Sequence, residues 1–320
     1  MPLSFDMPYE QLLTYQGTNP RPVDFDEYWD NSLAELRATD PAPELVPADF
    51  RTSFADCFHL YYTGLGGARI HAKLLRPKQA DAPHPAVLMF HGYSGNAGDW
   101  TEKLGYVAQG YTVAAMDCRG QGGLSEDKGG VQGWTLRGHI VRGLGDQPEN
   151  LLYRYIFLDT AQLARVVMEM PDVDATRVGA TGGSQGGGLT LACVGLEPRI
   201  KLAAPVFPFL CDYQRVWQKE LAKQAYLELD EYFRRFDPLH EREQDLFTKL
   251  GYIDVQYLAP RIRAEVMMAV GLMDDVCPPS TQFAAYNKIQ ANKSLRVYPD
   301  FRHENLPGNS DAIFQFLSRL

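Results

Sequence analysis

Apolar residues fall into two kinds of pattern along this chain, and the change between them organises it. From Cys57 to Thr63 they alternate with polar ones through Phe58, Leu60 and Tyr62, and from Ala68 to Arg76 they alternate again through Ile70, Ala72 and Leu74. Gly64, Gly66 and Gly67 lie between the runs. A period of two on either side of a glycine turn predicts an antiparallel hairpin with one buried face. After Pro85 the alternation gives way to continuous apolar runs at Ala86–Phe90, Tyr111–Met116, Arg177–Thr181, Leu202–Val206 and Val266–Val270, with a shorter, less apolar run at Leu295–Tyr298. Such runs predict central strands covered on both faces.

Between most of these strands the pattern is helical. The clearest helix runs from about Leu151 to Met170, where Leu152, Ile156, Leu163, Val167 and Met170 form one stripe ahead of Pro171. Asp24 and Glu27 match a capping box, which predicts a helix over Phe25–Arg37. Strands alternating with helices predict an α/β fold with a mostly parallel sheet and helices on both faces. Two stretches break the alternation. Residues 118–149 are glycine-rich and read as a long loop. Residues 210–260 carry Trp217, Tyr226, Tyr232 and Phe233 in helical spacing and read as a helical cap over the sheet edge. With no repeat and no linker, residues 1–320 are expected to form a single domain, with 1–50 as an N-terminal extension.

Composition narrows the function. The formal charge of −9 disfavours nucleic-acid binding, and the apolar fraction of 45% is that of an ordinary globular protein. Five cysteines without a CxxC pair offer neither a zinc ribbon nor a disulfide framework. The N-terminal residues lack a basic region followed by an apolar one, and no run of 18 apolar residues occurs, so a cytoplasmic protein without membrane contact is expected.

The candidate chemistry centres on Gly182, Ser184 and Gly186, a G-x-S-x-G set between a strand-like run and the helix-like Leu189–Leu196. That context is what a nucleophile elbow requires, because strand and helix approach closely around the serine and leave room only for glycine. A serine hydroxyl needs a base. His303 follows the last strand and is the first candidate; His91 is the rival, more suited to shaping the loop after Ala86–Phe90. His59, His71, His84, His139 and His240 read as packing or surface histidines. Asp274 or Asp275 would orient the base, and spacing does not choose between them. The backbone N–H groups of Gln185 and Tyr93 are the candidate oxyanion donors. Ser94 is a weaker rival nucleophile, since its frame lacks the second glycine. Arg119 and its glycine loop match no phosphate-binding motif and read as structural, with Arg119 bonding loops near the elbow. No HExxH or similar spacing occurs, so neither metal nor cofactor is expected. The order Ser184, aspartate, His303 is that of the α/β-hydrolases.

Taken together, His91-Gly92-Tyr93, Arg119-Gly120-Gln121, Gly182 through Gly188, Gly271-Leu272-Met273-Asp274 and His303-Glu304 resemble the acetyl xylan esterase / cephalosporin C deacetylase family, the seventh carbohydrate esterase family. Pro278-Pro279-Ser280-Thr281, Phe283 to Asn287, Asp24-Phe25 and Tyr28-Trp29 extend the resemblance over the whole chain. The resemblance implies an α/β-hydrolase fold, a triad of Ser184, Asp274 and His303, and an oxyanion hole from Tyr93 and Gln185. It also implies an intracellular enzyme that deacetylates small sugars such as xylo-oligosaccharides and cephalosporin C, in some members makes peracids, and assembles as a homohexamer. The residues alone leave two other readings open: a different serine hydrolase of this fold, such as a peptidase or broad carboxylesterase, and a non-catalytic binding protein.

Overall fold

The computed structural model describes residues 5–81, 83–128 and 138–320. Among them nine strands form one sheet: β1 (Glu44–Pro47), β2 (Ala55–Thr63), β3 (Arg69–Pro77), β4 (His84–Phe90), β5 (Thr112–Met116), β6 (Val173–Gly183), β7 (Leu202–Val206), β8 (Glu265–Gly271) and β9 (Lys293–Tyr298). The helices are α1 (Tyr9–Leu12), α2 (Phe25–Ala38), α3 (Leu104–Ala108), α4 (Leu152–Met168), α5 (Gln185–Leu196), α6 (Tyr213–Gln218), α7 (Leu227–Phe236), α8 (Glu243–Leu250), α9 (Pro279–Lys288) and α10 (Asn309–Leu317). The strand order is β1-β2-β3-β5-β4-β6-β7-β8-β9. The hairpin β2–β3 is antiparallel and joins β5 antiparallel, and β4 to β9 run parallel to one another.

The continuous apolar runs mark strands that feed two cores. On β4, Val87 faces one side with Val113, Leu202 and Ala204, where Tyr106 and Val107 of α3 and Phe316 and Leu317 of α10 cover it. Leu88 and Phe90 face the other side with Ala114, Val178, Ala203 and Val266, under α4, α5 and α9. Each strand therefore needs apolar residues at successive positions, which is the physical origin of the runs. Helix α5 is buried along its whole length, from Gln185 to Leu196, between the sheet and α4.

Three local readings are revised. Asp24 does not cap α2 with its side chain; its Oδ1 accepts the Tyr252 hydroxyl at 2.5 Å. Helix α4 stops at Met168, two residues short of Met170, which directly precedes Pro171. Arg119 does not tie the loops near the elbow; it pairs with Asp159 of α4 through Nε at 2.7 Å and Nη2 at 2.6 Å, and reaches Leu65 O. The extension adds β1, which pairs antiparallel with β2 as an edge strand. Its earlier part straps the outer elements together. Asp6 accepts from the Ser280 N–H at 2.6 Å and from Arg215, while buried Asp212 accepts from Tyr15, Thr18 and Asn19. The insertion folds as α6, α7 and α8 and packs on α9 and on residues 138–151, at the end of the sheet where Tyr93 lies. Of the glycine-rich stretch 118–149, residues 129–137 lie outside the described residues.

The Arg119–Asp159 pair is buried on both sides, with 4% and 0% side-chain exposure. Removing one partner strands a charge away from water. Asp159→Asn is therefore expected to cost about 3–5 kcal/mol in urea unfolding, and Asp159→Leu combined with Arg119→Met to recover most of that loss.

Candidate active site

The site is built from the turn between β6 and α5. Ser184 has φ 58° and ψ −121°, a conformation that only a tightly packed turn imposes on a residue with a side chain. Its carbonyl accepts from the N–H groups of Gly188 and Phe209, and its own N–H donates to Val206 O at 3.0 Å. The flanking glycines are required by contact. A Cβ on Gly182 would lie 2.5 Å from Phe90 O, and one on Gly186 only 2.1 Å from the same oxygen. The end of β4 thus presses directly against the elbow.

Ser184 Oγ lies 3.0 Å from His303 Nε2, and His303 Nδ1 lies 2.9 Å from Asp274 Oδ2. The second Asp274 oxygen accepts the N–H groups of Val276 at 2.9 Å and Cys277 at 2.8 Å. Asp274 is fully buried, and the neighbouring Asp275 instead reaches out to Arg302 at 3.5 Å. The Phe207 ring packs 4.4 Å from the imidazole, centroid to centroid. With Nδ1–H held by the carboxylate, Nε2 is left to accept the hydroxyl proton of Ser184.

His91 is committed elsewhere. Its Nδ1 faces Gly92 O at 2.7 Å and its Nε2 accepts the Cys118 N–H at 3.0 Å. Burial lowers its pKa, so the neutral ring acts as a brace for the loop after β4. That loop carries Tyr93, whose hydroxyl donates to Glu228 Oε1 at 2.5 Å. Gln185 follows Ser184 at the start of α5, and its side chain is held by the Tyr153 hydroxyl at 2.6 Å and by Gln121. Gln121 Oε1 also accepts the Ser94 N–H at 2.8 Å, joining the loop after β4 to the elbow. Ser94 Oγ does approach His139 Nε2, at 3.4 Å, but His139 Nδ1 has no partner among the described residues to orient the ring.

The other histidines stand apart from Ser184. His59 and His71 form a line with Asp117, with His71 at 2.6 Å from the carboxylate; His84 meets Thr112 at 2.8 Å; His240 pairs with Glu243 at 3.0 Å. Among the described residues, Asp274, Cys277 and His303 are also the one group crowded enough to suggest a metal, with ligand atoms within 4.8 Å of one another. Hydrogen bonds already engage both Asp274 oxygens. Burial, with Asp274 nearby, raises the Cys277 thiol well above its usual range, so it stays protonated beneath the serine. All five cysteines are buried and unpaired.

Sequence reading passed over Glu228, Gln121 as a bridging residue, and Tyr153. For Glu228 a signal existed. It lies on the same face of α7 as the buried Leu229, Tyr232 and Phe233, a place where a carboxylate needs a partner.

A serine at a strand–turn–helix junction, with imidazole and carboxylate in line behind it on a mostly parallel sheet, defines an α/β-hydrolase. The chain belongs to the acetyl xylan esterase (AXE1) family, whose sequence profile matches residues 1–320, and so to the carboxylic ester hydrolases. The acetyl xylan esterase 1 structure from Thermoanaerobacterium sp. JW/SL YS485 superposes with a TM-score of 0.97 at 60% identity, over 98% of this chain and 99% of that one. An acetyl xylan esterase from Paenibacillus sp. R4 gives 0.93 at 37% identity, over 98% and 99%. The acetyl esterase Axe7A of Xylanibacter ruminicola is 27% identical over 303 residues, which are 92% of this chain but only 65% of that longer protein. An acylaminoacyl peptidase of Pyrococcus horikoshii, at 17% identity and a TM-score of 0.58 over 83% of this chain and 40% of that one, shares the fold alone. Among the described residues no helix is long and apolar enough to cross a membrane.

The contact between Gly186 and Phe90 O yields a direct test of the elbow. Gly186→Ala would push the end of β4 away from α5, so a loss of about 1–3 kcal/mol in urea unfolding is expected, together with loss of ester hydrolysis by whatever enzyme still folds.

Proposed function

We propose that this protein removes acetyl and other short acyl groups from small carbohydrate esters, such as acetylated xylo-oligosaccharides, through an acyl-enzyme formed on Ser184. The observation that carries the proposal is the unbroken hydrogen-bonded line from Ser184 Oγ through His303 to buried Asp274, at 3.0 and 2.9 Å. His303 Nε2 takes the proton of Ser184 as its oxygen attacks the acyl carbonyl. Asp274 holds the ring and stabilises its charged form. The N–H groups of Tyr93 and Gln185 receive the negative oxygen of the tetrahedral intermediate. His303 then delivers the proton to the departing sugar alcohol, and water, activated by the same imidazole, releases the acid and restores the serine.

An acetyl group offers little surface, so selection falls on the exclusion of longer chains. Phe207, whose ring stands 4.4 Å from that of His303, is the candidate wall against longer acyl chains. A short acyl pocket with a permissive alcohol side accommodates both sugar esters and cephalosporin C. Family resemblance supports the deacetylation of cephalosporin C, the cytoplasmic location and the homohexamer.

A panel of p-nitrophenyl esters from acetate to octanoate, with acetylated xylo-oligosaccharides, cephalosporin C and an aminoacyl amide, tests the substrate class. Acetate is expected to be the best of the acyl chains and the amide to be inert; equal rates on acetate and octanoate, or faster amide cleavage, would exclude an acetyl esterase. Ser184→Ala is expected to lower kcat by at least about a thousandfold. Asp274→Asn is expected to lower it by about ten-thousandfold, and Asp275→Asn by less than about twofold, because only Asp274 touches the imidazole. Comparable losses for the two aspartate variants would break the assignment.

A further inference from the structure

The oxyanion loop is gripped from the cap. Glu228, on α7, is almost wholly buried, at 1% exposure. Its Oε1 accepts the Tyr93 hydroxyl at 2.5 Å, and its Oε2 accepts the Val141 N–H at 2.9 Å. The backbone N–H groups of Ile140 and His139 lie beside it and favour its ionised form. The Tyr93 hydroxyl in turn accepts the His139 N–H at 3.2 Å, and the Tyr93 ring packs between His139 and Phe209. One carboxylate therefore joins three separate pieces of chain: α7, the segment 138–141 and the loop after β4.

We propose that Glu228 is a positioning residue for ester hydrolysis: by holding the Tyr93 side chain from the cap helix, its carboxylate fixes where the Tyr93 backbone N–H points and so completes the oxyanion hole. This rests on the role proposed above for Tyr93. The physical argument is one of rigidity. A donor in an oxyanion hole works only when aimed at the place where charge develops, and aim is lost with small movements of its loop. The loop after β4 has φ 57° at Ser94, directly after Tyr93, and a tether on the Tyr93 ring holds it in that shape.

The tether depends on charge. The Tyr93 hydroxyl and the Val141 N–H each fill one oxygen of Glu228, with the N–H groups of Ile140 and His139 close by; an ionised carboxylate suits them all, whereas a protonated one carries its own hydrogen and gives up a contact. Burial pushes its pKa up to about 7, against the lowering effect of the hydrogen bonds from Tyr93, Val141, Ile140 and His139. The other titratable groups facing it are His139 on the segment 138–141, Tyr153 on α4 and Tyr213 on α6. Burial, with Arg142 nearby, lowers His139 to about 4, and burial raises both tyrosines well above their usual range. These three keep their charge as Glu228 titrates. A folded-state pKa above the ordinary carboxyl value means that the tether is intact above about pH 7 and released as pH falls through it. Activity should then fall by an additional step on the acid side as Glu228 takes up its proton.

Steady-state kinetics on p-nitrophenyl acetate between pH 5 and 9 test this with wild type, Glu228→Gln and Tyr93→Phe, the last cutting the same hydrogen bond from the other end while keeping the backbone N–H. Both variants are expected to lose about tenfold in kcat at pH 8 with KM within about twofold, and their combination to lose no more than either alone. Between pH 8 and pH 5, log kcat/KM is expected to fall by about one unit more in wild type than in either variant. Circular dichroism shows whether Glu228→Gln folds, and if it does not, Tyr93→Phe decides alone. Wild-type kcat and pH profile in the folded variants would overturn the proposal, and so would a loss of kcat with an unchanged profile, which packing alone would produce. A wild type inert toward the acetyl ester would instead refute the reading of the site itself.

Discussion

The close approach of β4 to the turn between β6 and α5 is the constraint on which the rest of the site depends. Phe90 O lies where a Cβ on Gly182 or Gly186 would have to be, so no other residue fits at either position without moving a strand. The same crowding drives Ser184 to φ 58° and lifts its hydroxyl clear of the backbone. The strain, of order 1–3 kcal/mol, is tolerable because α5 is buried along its length and the sheet on the other side is continuous. Loosening the elbow would relax the serine into a helix cap and remove it from His303.

Around that fixed point the remaining groups arrive on loops from the ends of other strands, each held by a short bridge. Asp274 is fastened by the two N–H groups that follow it before it meets His303, so its orientation does not depend on the imidazole. His91 braces its own loop by joining Gly92 to Cys118. Gln121 spans from that loop to Gln185. These bridges use neutral groups or backbone, which avoids placing a second uncompensated charge beside the serine. The His59–His71–Asp117 line serves the layer outside, where Asp117 accepts from Ala97 and Leu124 and so fastens both loops to β3.

Most of the sheet was legible in the sequence because its cause is local. Val87 and Leu88 must face opposite cores, so both are apolar, and the strand announces itself. The elbow was legible for the same reason: crowding admits only glycine. Strand β1 was not, because Glu44 to Pro47 is exposed throughout and pairs along one edge only. The partner of Arg119 was hidden since Asp159 lies 40 residues away on a helix otherwise read for its apolar stripe. The choice between Asp274 and Asp275 turns on two backbone N–H groups and a ring 29 residues later, a matter of tertiary geometry rather than spacing.

Glu228 belongs with those long-range features, and it clarifies what the insertion contributes. A cap that only covered the serine could be built with apolar side chains on its inner face; Leu229, Tyr232 and Phe233 of α7 are buried against the core. Burying a carboxylate among them is unfavourable unless its acceptors are filled, and here they are filled by Tyr93 and by the backbone of 138–141. Its contacts tie the position of the cap to the loop that carries Tyr93.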